Sequence, residues 1–261
     1  MAPVPDLPVQ HFRARDGVDL AYREVGEGRQ LVLVHGFVST GYVNWVKYGH
    51  AARLADAGYR VVMPDLRGHG DSARPHDPAA YPPDVLTDDG FALLEHVGLG
   101  PGADFDLGGY SLGGRTTLRM LVRGCTPARA VIAGMGLDNI TTTGRSTGWF
   151  RNLLTHYGGF AHGDPEFMAQ AFIKTVDGDP EALLRVIEAS VDTSREEIAS
   201  VQVPTLVLMG DEDDDHGSGP DLAGVLPQGT YRTIPGSHMG AVAKPDLGRA
   251  MADWLGSPPR G

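Results

Sequence analysis

Gly109-Tyr110-Ser111-Leu112-Gly113 sets a serine between glycines at a junction of two patterns. An apolar run, Phe105 to Gly109, leads in, and a run of helical character, Leu112 to Val122, leads out. In a G-x-S-x-G at a strand-to-helix turn, the serine sits on a sharp elbow with its hydroxyl pushed clear of the sheet. The flanking glycines let chain segments approach where a Cβ would clash. The N-terminus of the following helix offers free N–H groups and partial positive charge where an oxyanion would form. The chemistry predicted is nucleophilic attack by a hydroxyl on an electrophilic carbon, once a base activates it.

A base and an acid stand further along the chain. Gly210-Asp211-Glu212-Asp213-Asp214-Asp215-His216 follows one strand-like run, and Pro235-Gly236-Ser237-His238-Met239-Gly240 follows the next. In a parallel α/β sheet the loops leaving the strands' C-terminal ends share one edge, where ligands bind. Ser111, a carboxylate of the Asp211–Asp215 run and His238 can therefore meet. His216 beside the aspartates raises the question of a metal. Adjacent loop residues cannot all point at one ion, and no second histidine cluster follows, so no metal site is expected. Gly108-Gly109 does not extend into a dinucleotide fingerprint, so no cofactor is expected either.

The elements that must carry these residues read as alternating strands and helices. Residues 9 to 25 form a hairpin pattern with its turn at Arg15-Asp16-Gly17. Leu31–Val34, Tyr59–Pro64, Phe105–Gly109, Ala130–Met135, Val203–Gly210 and Thr230–Ile234 are short apolar or β-branched runs suited to a sheet covered on both faces. Helices are expected over Val43–Ala57, stopped by Gly58, over Pro83–Val97, over Leu112–Val122 and over Pro245–Leu255. From Leu137 to Gln202 the periodicity is helical only. One face there is Trp149, Phe150, Leu153, Leu154 and Tyr157. A second is Phe167, Met168, Ala171 and Phe172, and a third is Leu183, Leu184, Ile187 and Val191. Asp164-Pro165-Glu166 and Asp179-Pro180-Glu181 read as helix starts, and Thr193-Ser194-Arg195-Glu196 as a capping box. The predicted fold is α/β: a mostly parallel central sheet flanked by helices, with a helical cap inserted before the last two strands. The expected division is a core of residues 1–137 and 203–261 and a cap of residues 138–202, with a disordered tail over 257–261.

Composition narrows the class. The chain of 261 residues has 22 basic and 33 acidic side chains, a formal charge of −11. No Lys/Arg cluster invites nucleic acid or an anionic membrane. The balance suits a small, uncharged or weakly charged ligand. The single cysteine, Cys125, permits no internal disulfide and reads as structural. No apolar run approaches membrane-spanning length. The start, Met1 to Asp6, lacks the basic-then-apolar pattern of a signal, so a cytoplasmic location is expected. Asp106, inside the elbow strand, needs a partner if buried, and the sequence names none. Nothing in the sequence bears on oligomeric state.

These features together resemble the α/β-hydrolase superfamily over essentially the whole chain. The matches are Val34-His35-Gly36-Phe37, Pro64 to Ser72, the elbow, Pro204 to Asp213, and Pro235 to His238, in the family's order. The resemblance implies a Ser–His–Asp triad with Ser111 as nucleophile, His238 as general base and Asp213 as the orienting acid. Asp138, after the preceding strand, is the rival acid. It implies an oxyanion hole from the backbone N–H groups of Phe37 and Leu112. His35 is expected to shape that loop, and His69 and Asp71 to be architectural. The implied activity is hydrolysis of a carboxylic ester with an apolar part, through an acyl-enzyme, beneath the cap as a lid. Carbon–carbon hydrolysis, cofactor-free perhydrolysis and acyl transfer share the same triad. A binding protein that kept the fold is the reading from another class.

Overall fold

A computed structural model of the protein describes residues 6–256. The tail expected to be disordered and the first residues of the N-terminal stretch lie outside the described residues. The hairpin forms as expected, with β1 (Gln10–Arg13) antiparallel to β2 (Asp19–Val25). The remaining strands are β3 (Arg29–Val34), β4 (Tyr59–Pro64), β5 (Phe105–Tyr110), β6 (Arg129–Ala133), β7 (Thr205–Gly210) and β8 (Gly229–Ile234). They join in one sheet of eight strands, ordered β1-β2-β4-β3-β5-β6-β7-β8. β2 meets β4 antiparallel, and every pairing among β3 to β8 is parallel.

The helices are α1 (His50–Asp56), α2 (Val85–His96), α3 (Leu112–Val122), α4 (Leu137–Thr141), α5 (Gly144–Thr155), α6 (Phe167–Thr175), α7 (Pro180–Glu188), α8 (Arg195–Ala199), α9 (Gly219–Val225), α10 (His238–Val242) and α11 (Pro245–Leu255). The inner strands are apolar along their length because helices cover both faces. Val32, Leu107, Ile132 and Val207 pack with Leu93 of α2 and Leu118 of α3. Leu31, Leu33, Val131 and Leu208 pack on the other face with Leu54 of α1 and Met251 of α11. Asp106, buried in β5, is met by the guanidinium of Arg29 on adjacent β3, with Nε 2.7 Å from Oδ2. Cys125 is buried, which pushes its thiol up to about 11 and leaves it inert.

α4 to α8 form the helical insertion between β6 and β7. Ile140 of α4 and Ile198 of α8 belong to the sheet's own core. Between them, Leu153 and Leu154 of α5, Ile173 of α6 and Leu183 and Ile187 of α7 make a separate apolar cluster that also takes Val38 from the core. No helix among the described residues is long and apolar enough to cross a membrane.

Local expectations differ from the structure at several points. The helix expected over Val43–Ala57 is a π-helical turn, Tyr42–Val46, then α1; Gly49, at φ 78°, breaks the path. Asp164 does not cap α6, which starts at Phe167. Its carboxylate accepts instead from the Ala161 N–H at 2.7 Å, closing a local turn. Met168 and Ala171 are exposed, and the buried residue of α6 is Ile173. Met168 and the exposed Trp149 line a cavity, described below, and apolar periodicity cannot separate a cavity wall from a core face. The capping box is one residue later than expected, between Ser194 and Glu197, because Thr193 is drawn inward and its N–H is held by the Ile140 carbonyl. α9 and α10 carry no expectation from periodicity; each is too short to show one.

Candidate active site

The strand–turn–helix at residue 111 is as tight as its glycines require. Ser111 has φ 54° and ψ −116°, a conformation rare for an L-residue, and its N–H is held by the Ala133 carbonyl at 2.7 Å. A Cβ on Gly109 would lie 2.2 Å from the Gly113 carbonyl oxygen, and one on Gly113 would lie 2.1 Å from the Val34 oxygen. The hydroxyl leaves at the C-terminal edge of β5, where the loops after β7 and β8 also arrive.

Those loops deliver the other two groups. His238 opens α10, whose Ser237 cap accepts from the Gly240 N–H at 3.3 Å. Its Nε2 is 3.1 Å from Ser111 Oγ, and its Nδ1 donates to Asp213 Oδ2 at 2.9 Å. Asp213 alone of the acidic run is buried. Asp211 ties the two loops together by accepting from the Gly236 N–H at 2.7 Å. Asp138, the rival acid, is exposed and accepts from the Ser218 N–H at 3.2 Å.

The loop after β3 approaches the serine from the other side. A Cβ on Gly36 would lie 3.3 Å from the Ser111 Cβ. Phe37, next in line, packs its ring edge-on to Phe150 of α5. Leu112 is the first residue of α3, where helical geometry leaves its N–H without a carbonyl a turn earlier. Three side chains hold the loop's shape. The Asn44 side-chain oxygen accepts from the Gly36 N–H at 3.1 Å. His35 Nε2 accepts from the Leu66 N–H at 2.9 Å, so its proton is on Nδ1, which donates to the Gly36 carbonyl. His69 Nε2 accepts from the N–H of Val38, whose φ of 54° is unusual for a β-branched residue. Burial holds His35 down to about 4 and His69 to about 3, so both are neutral hydrogen-bonding groups rather than proton carriers. Asp71 is bound by Arg23, away from the serine.

Two residues were not singled out for this site by the sequence. Tyr110, the variable residue before Ser111, donates its hydroxyl to the His238 carbonyl at 2.5 Å and lays its ring against the imidazole. His216 donates Nδ1 to Asp213 Oδ1 at 2.6 Å, and its ring stacks on His238 with centroids 3.4 Å apart and planes at 11°. The ligand-type atoms of Asp213, His216 and His238 all lie within 4.8 Å of one another. Both imidazoles meet the carboxylate through Nδ1 and lie parallel, which is the geometry of a shared hydrogen-bond acceptor and not of lone pairs converging on an ion.

Electrostatics follow from these contacts. Burial tends to raise the Asp213 carboxyl, but the hydrogen bonds from His216 and His238 outweigh it and hold the group well below the usual carboxylate range. Burial draws His238 below the ordinary histidine value, against the opposing pull of Asp213. A hydroxyl, a neutral imidazole and an ionised carboxylate in series can move a proton from oxygen to nitrogen and stabilise the imidazolium that results. Beside them lies a cavity of about 550 Å³, walled mainly by apolar side chains of α5 and α6 and open to Ser111 and His238.

Comparison with known proteins agrees with this architecture. The model of the Alpha/beta hydrolase family matches residues 31–251. The chain is 27% identical to the non-heme chloroperoxidase CPO-A1 of Kitasatospora aureofaciens, over 88% of this chain and 92% of that one. It is 39% identical to an epoxide hydrolase of Caballeronia sordidicola, but over only 31% of this chain and 24% of the relative. A thermophilic esterase from Thermogutta terrifontis superposes with a TM-score of 0.75 at 22% identity, covering 95% of this chain and 98% of that one, a likeness of fold. With the family match running from β3 into α11 and the sheet order as described, the chain belongs to the α/β-hydrolase family.

Proposed function

We propose that this protein is a serine hydrolase that cleaves carboxylic esters through an acyl-enzyme. The observation that carries the reading is the unbroken series from Ser111 Oγ to His238 Nε2, 3.1 Å, and from His238 Nδ1 to Asp213 Oδ2, 2.9 Å. Ser111 attacks the ester carbonyl as His238 takes its proton. The oxyanion is held by the N–H groups of Phe37 and Leu112, a kind of donor worth about 10²–10³ in rate each. Collapse expels the alcohol, which receives the proton from His238. Water then gives a proton to His238 and attacks the acyl carbon, and as the acyl–oxygen bond breaks Ser111 Oγ takes that proton back, releasing the acid. Asp213 keeps the imidazole oriented and stabilises its charged form. The insertion is assigned as a lid over the cavity, its apolar wall favouring an apolar acyl or alcohol part.

A second reading keeps the same residues and replaces water by hydrogen peroxide, giving a peracid. It draws on the name of the chloroperoxidase relative. Epoxide opening is disfavoured by a serine, not a carboxylate, at residue 111.

A fluorophosphonate probe tests the class. Labelling of Ser111 that His238→Ala abolishes is expected; no label, or a label indifferent to His238→Ala, defeats the hydrolase reading and leaves a ligand-binding member of the fold. A p-nitrophenyl ester panel of rising acyl length tests the reaction. Flat, feeble turnover across it would favour peroxide or carbon–carbon chemistry.

A further inference from the structure

Arg115 lies one helical turn beyond Ser111, and its backbone N–H bonds the Ser111 carbonyl at 3.0 Å. It is buried and lines the cavity that opens on Ser111. Nη2 donates to the Asn139 carbonyl of α4, while Nη1 is buried with no partner.

The contrast with buried Arg67 and half-buried Arg23 and Arg119 is sharp. Arg67 is clamped by Asp16 and Asp89, Arg23 by Asp65 and Asp71, and Arg119 by Asp84 and Glu197. Arg115 has no carboxylate within ion-pair distance among the described residues. Asp192 acts on it only through space, and that carboxylate lies exposed and bonded to the Thr143 N–H at 2.7 Å. Burial draws the guanidinium down to about 10, so it stays cationic at neutral pH. A buried, charged, planar donor with an unmet N–H beside a mainly apolar cavity is costly unless an anion completes it. A carboxylate is an anion its planar donor geometry fits. Asn139 and Ser190 add polar groups to the same wall.

We propose that Arg115 anchors a free carboxylate on the substrate, so that the ester cleaved at Ser111 is a half-ester of a dicarboxylic acid. This deepens the hydrolase reading and rests on it. The alternative role is structural, tethering α3 to α4 through Asn139, and it makes no distinction between charged and neutral esters.

The test pairs monomethyl succinate, glutarate, adipate, pimelate and suberate with the methyl esters of the unbranched monocarboxylic acids of equal carbon number. At one or more lengths the wild-type enzyme is expected to prefer the half-ester in kcat/KM by about tenfold or more. Arg115→Gln is expected to cut that preference about ten- to hundredfold, and Arg115→Lys to recover part of it. Preference for the neutral ester at every length, or an unchanged ratio in Arg115→Gln, overturns the proposal. Should Arg115→Gln fail to fold, calorimetry on the Ser111→Ala protein decides instead. Saturable binding of a half-ester at least about tenfold tighter than its neutral partner supports the anchor, and equal binding refutes it. The fluorophosphonate result stands apart: an unlabelled Ser111 removes the hydrolase reading, while the binding comparison still reports on Arg115.

Discussion

Asp213 accepts from two imidazoles at once, so one carboxylate orients His238 and the ring of His216 stacked on it. Replacing it by asparagine is expected to lower kcat about 10³–10⁴-fold, since the amide can present the wrong group to Nδ1–H and cannot balance the imidazolium. Asp138→Asn, at an exposed side chain bonded to Ser218, should change kcat by less than about twofold. Assaying the pair on one ester decides the acid, and a loss confined to Asp138→Asn would move the assignment there. The same neighbours set the pH response. His238 lies below its ordinary value of 6.5 chiefly through burial; His216 pushes the same way, and Asp213 and Asp215 push back. In the proposed mechanism the neutral imidazole is the working base, so kcat/KM should fall as pH drops through a midpoint below 6.5. His216→Asn removes a lowering influence, and the acid limb should then move to higher pH. A limb that stays in place would show the stacked ring to be electrostatically idle.

At the scale of elements, the site depends on a few places where backbones come closer than side chains allow. Gly113 in α3 faces the Val34 carbonyl of β3, and Gly49 merely turns the chain between the π-helical turn and α1. Alanine at 113 would set a Cβ 2.1 Å from a backbone oxygen that cannot yield, forcing α3 off the sheet and Ser111 off its line. Loss of the fluorophosphonate label, or of folded protein altogether, is the expected result. Alanine at 49 meets no atom within 4 Å, and its φ of 78° is the only obstacle. That change should cost about 1–2 kcal/mol, read from the urea midpoint, with labelling retained. Equal damage from both would mean that close approach is not what the elbow glycines serve. The loop of Phe37 is a parallel case: Asn44, His35 and His69 each spend a hydrogen bond on it, and Val38 is held at positive φ.

For the whole molecule, the buried histidines couple stability to acid. His35, His50 and His69 are held neutral by burial, with His35 drawn to about 4 and His69 to about 3. Below about pH 6.5 the unfolded chain binds protons at these sites that the folded chain does not, so stability must fall as pH falls. Each contributes a slope of about 1.4 kcal/mol per pH unit, running for His35 and His69 from about 6.5 down to those depressed values. Urea midpoints at pH 7, 6 and 5 should decline steadily. His69→Gln, which keeps a hydrogen-bonding group but no titration, should lessen the decline. A flat response would mean that these rings are hydrated and charge freely.

Strand positions, the elbow and the family's order of motifs were legible in the sequence because each rests on neighbours along the chain. An apolar run bounded by turn residues, a glycine beside a serine, and a proline at the first turn of a helix state their conformation locally. The placement of His238 and of a carboxylate on one edge was legible too, because parallel strands send their following loops to the same side. What only the tertiary structure decided was which groups touch across the chain. Arg29 meets Asp106 because β3 and β5 are neighbours in the sheet, 77 residues apart in sequence. Tyr110 reaches the His238 carbonyl across 128 residues, and the Met168 face lines a cavity that no pattern displays. Periodicity reports that a side is apolar; packing decides whether that side meets a core, a cavity or water.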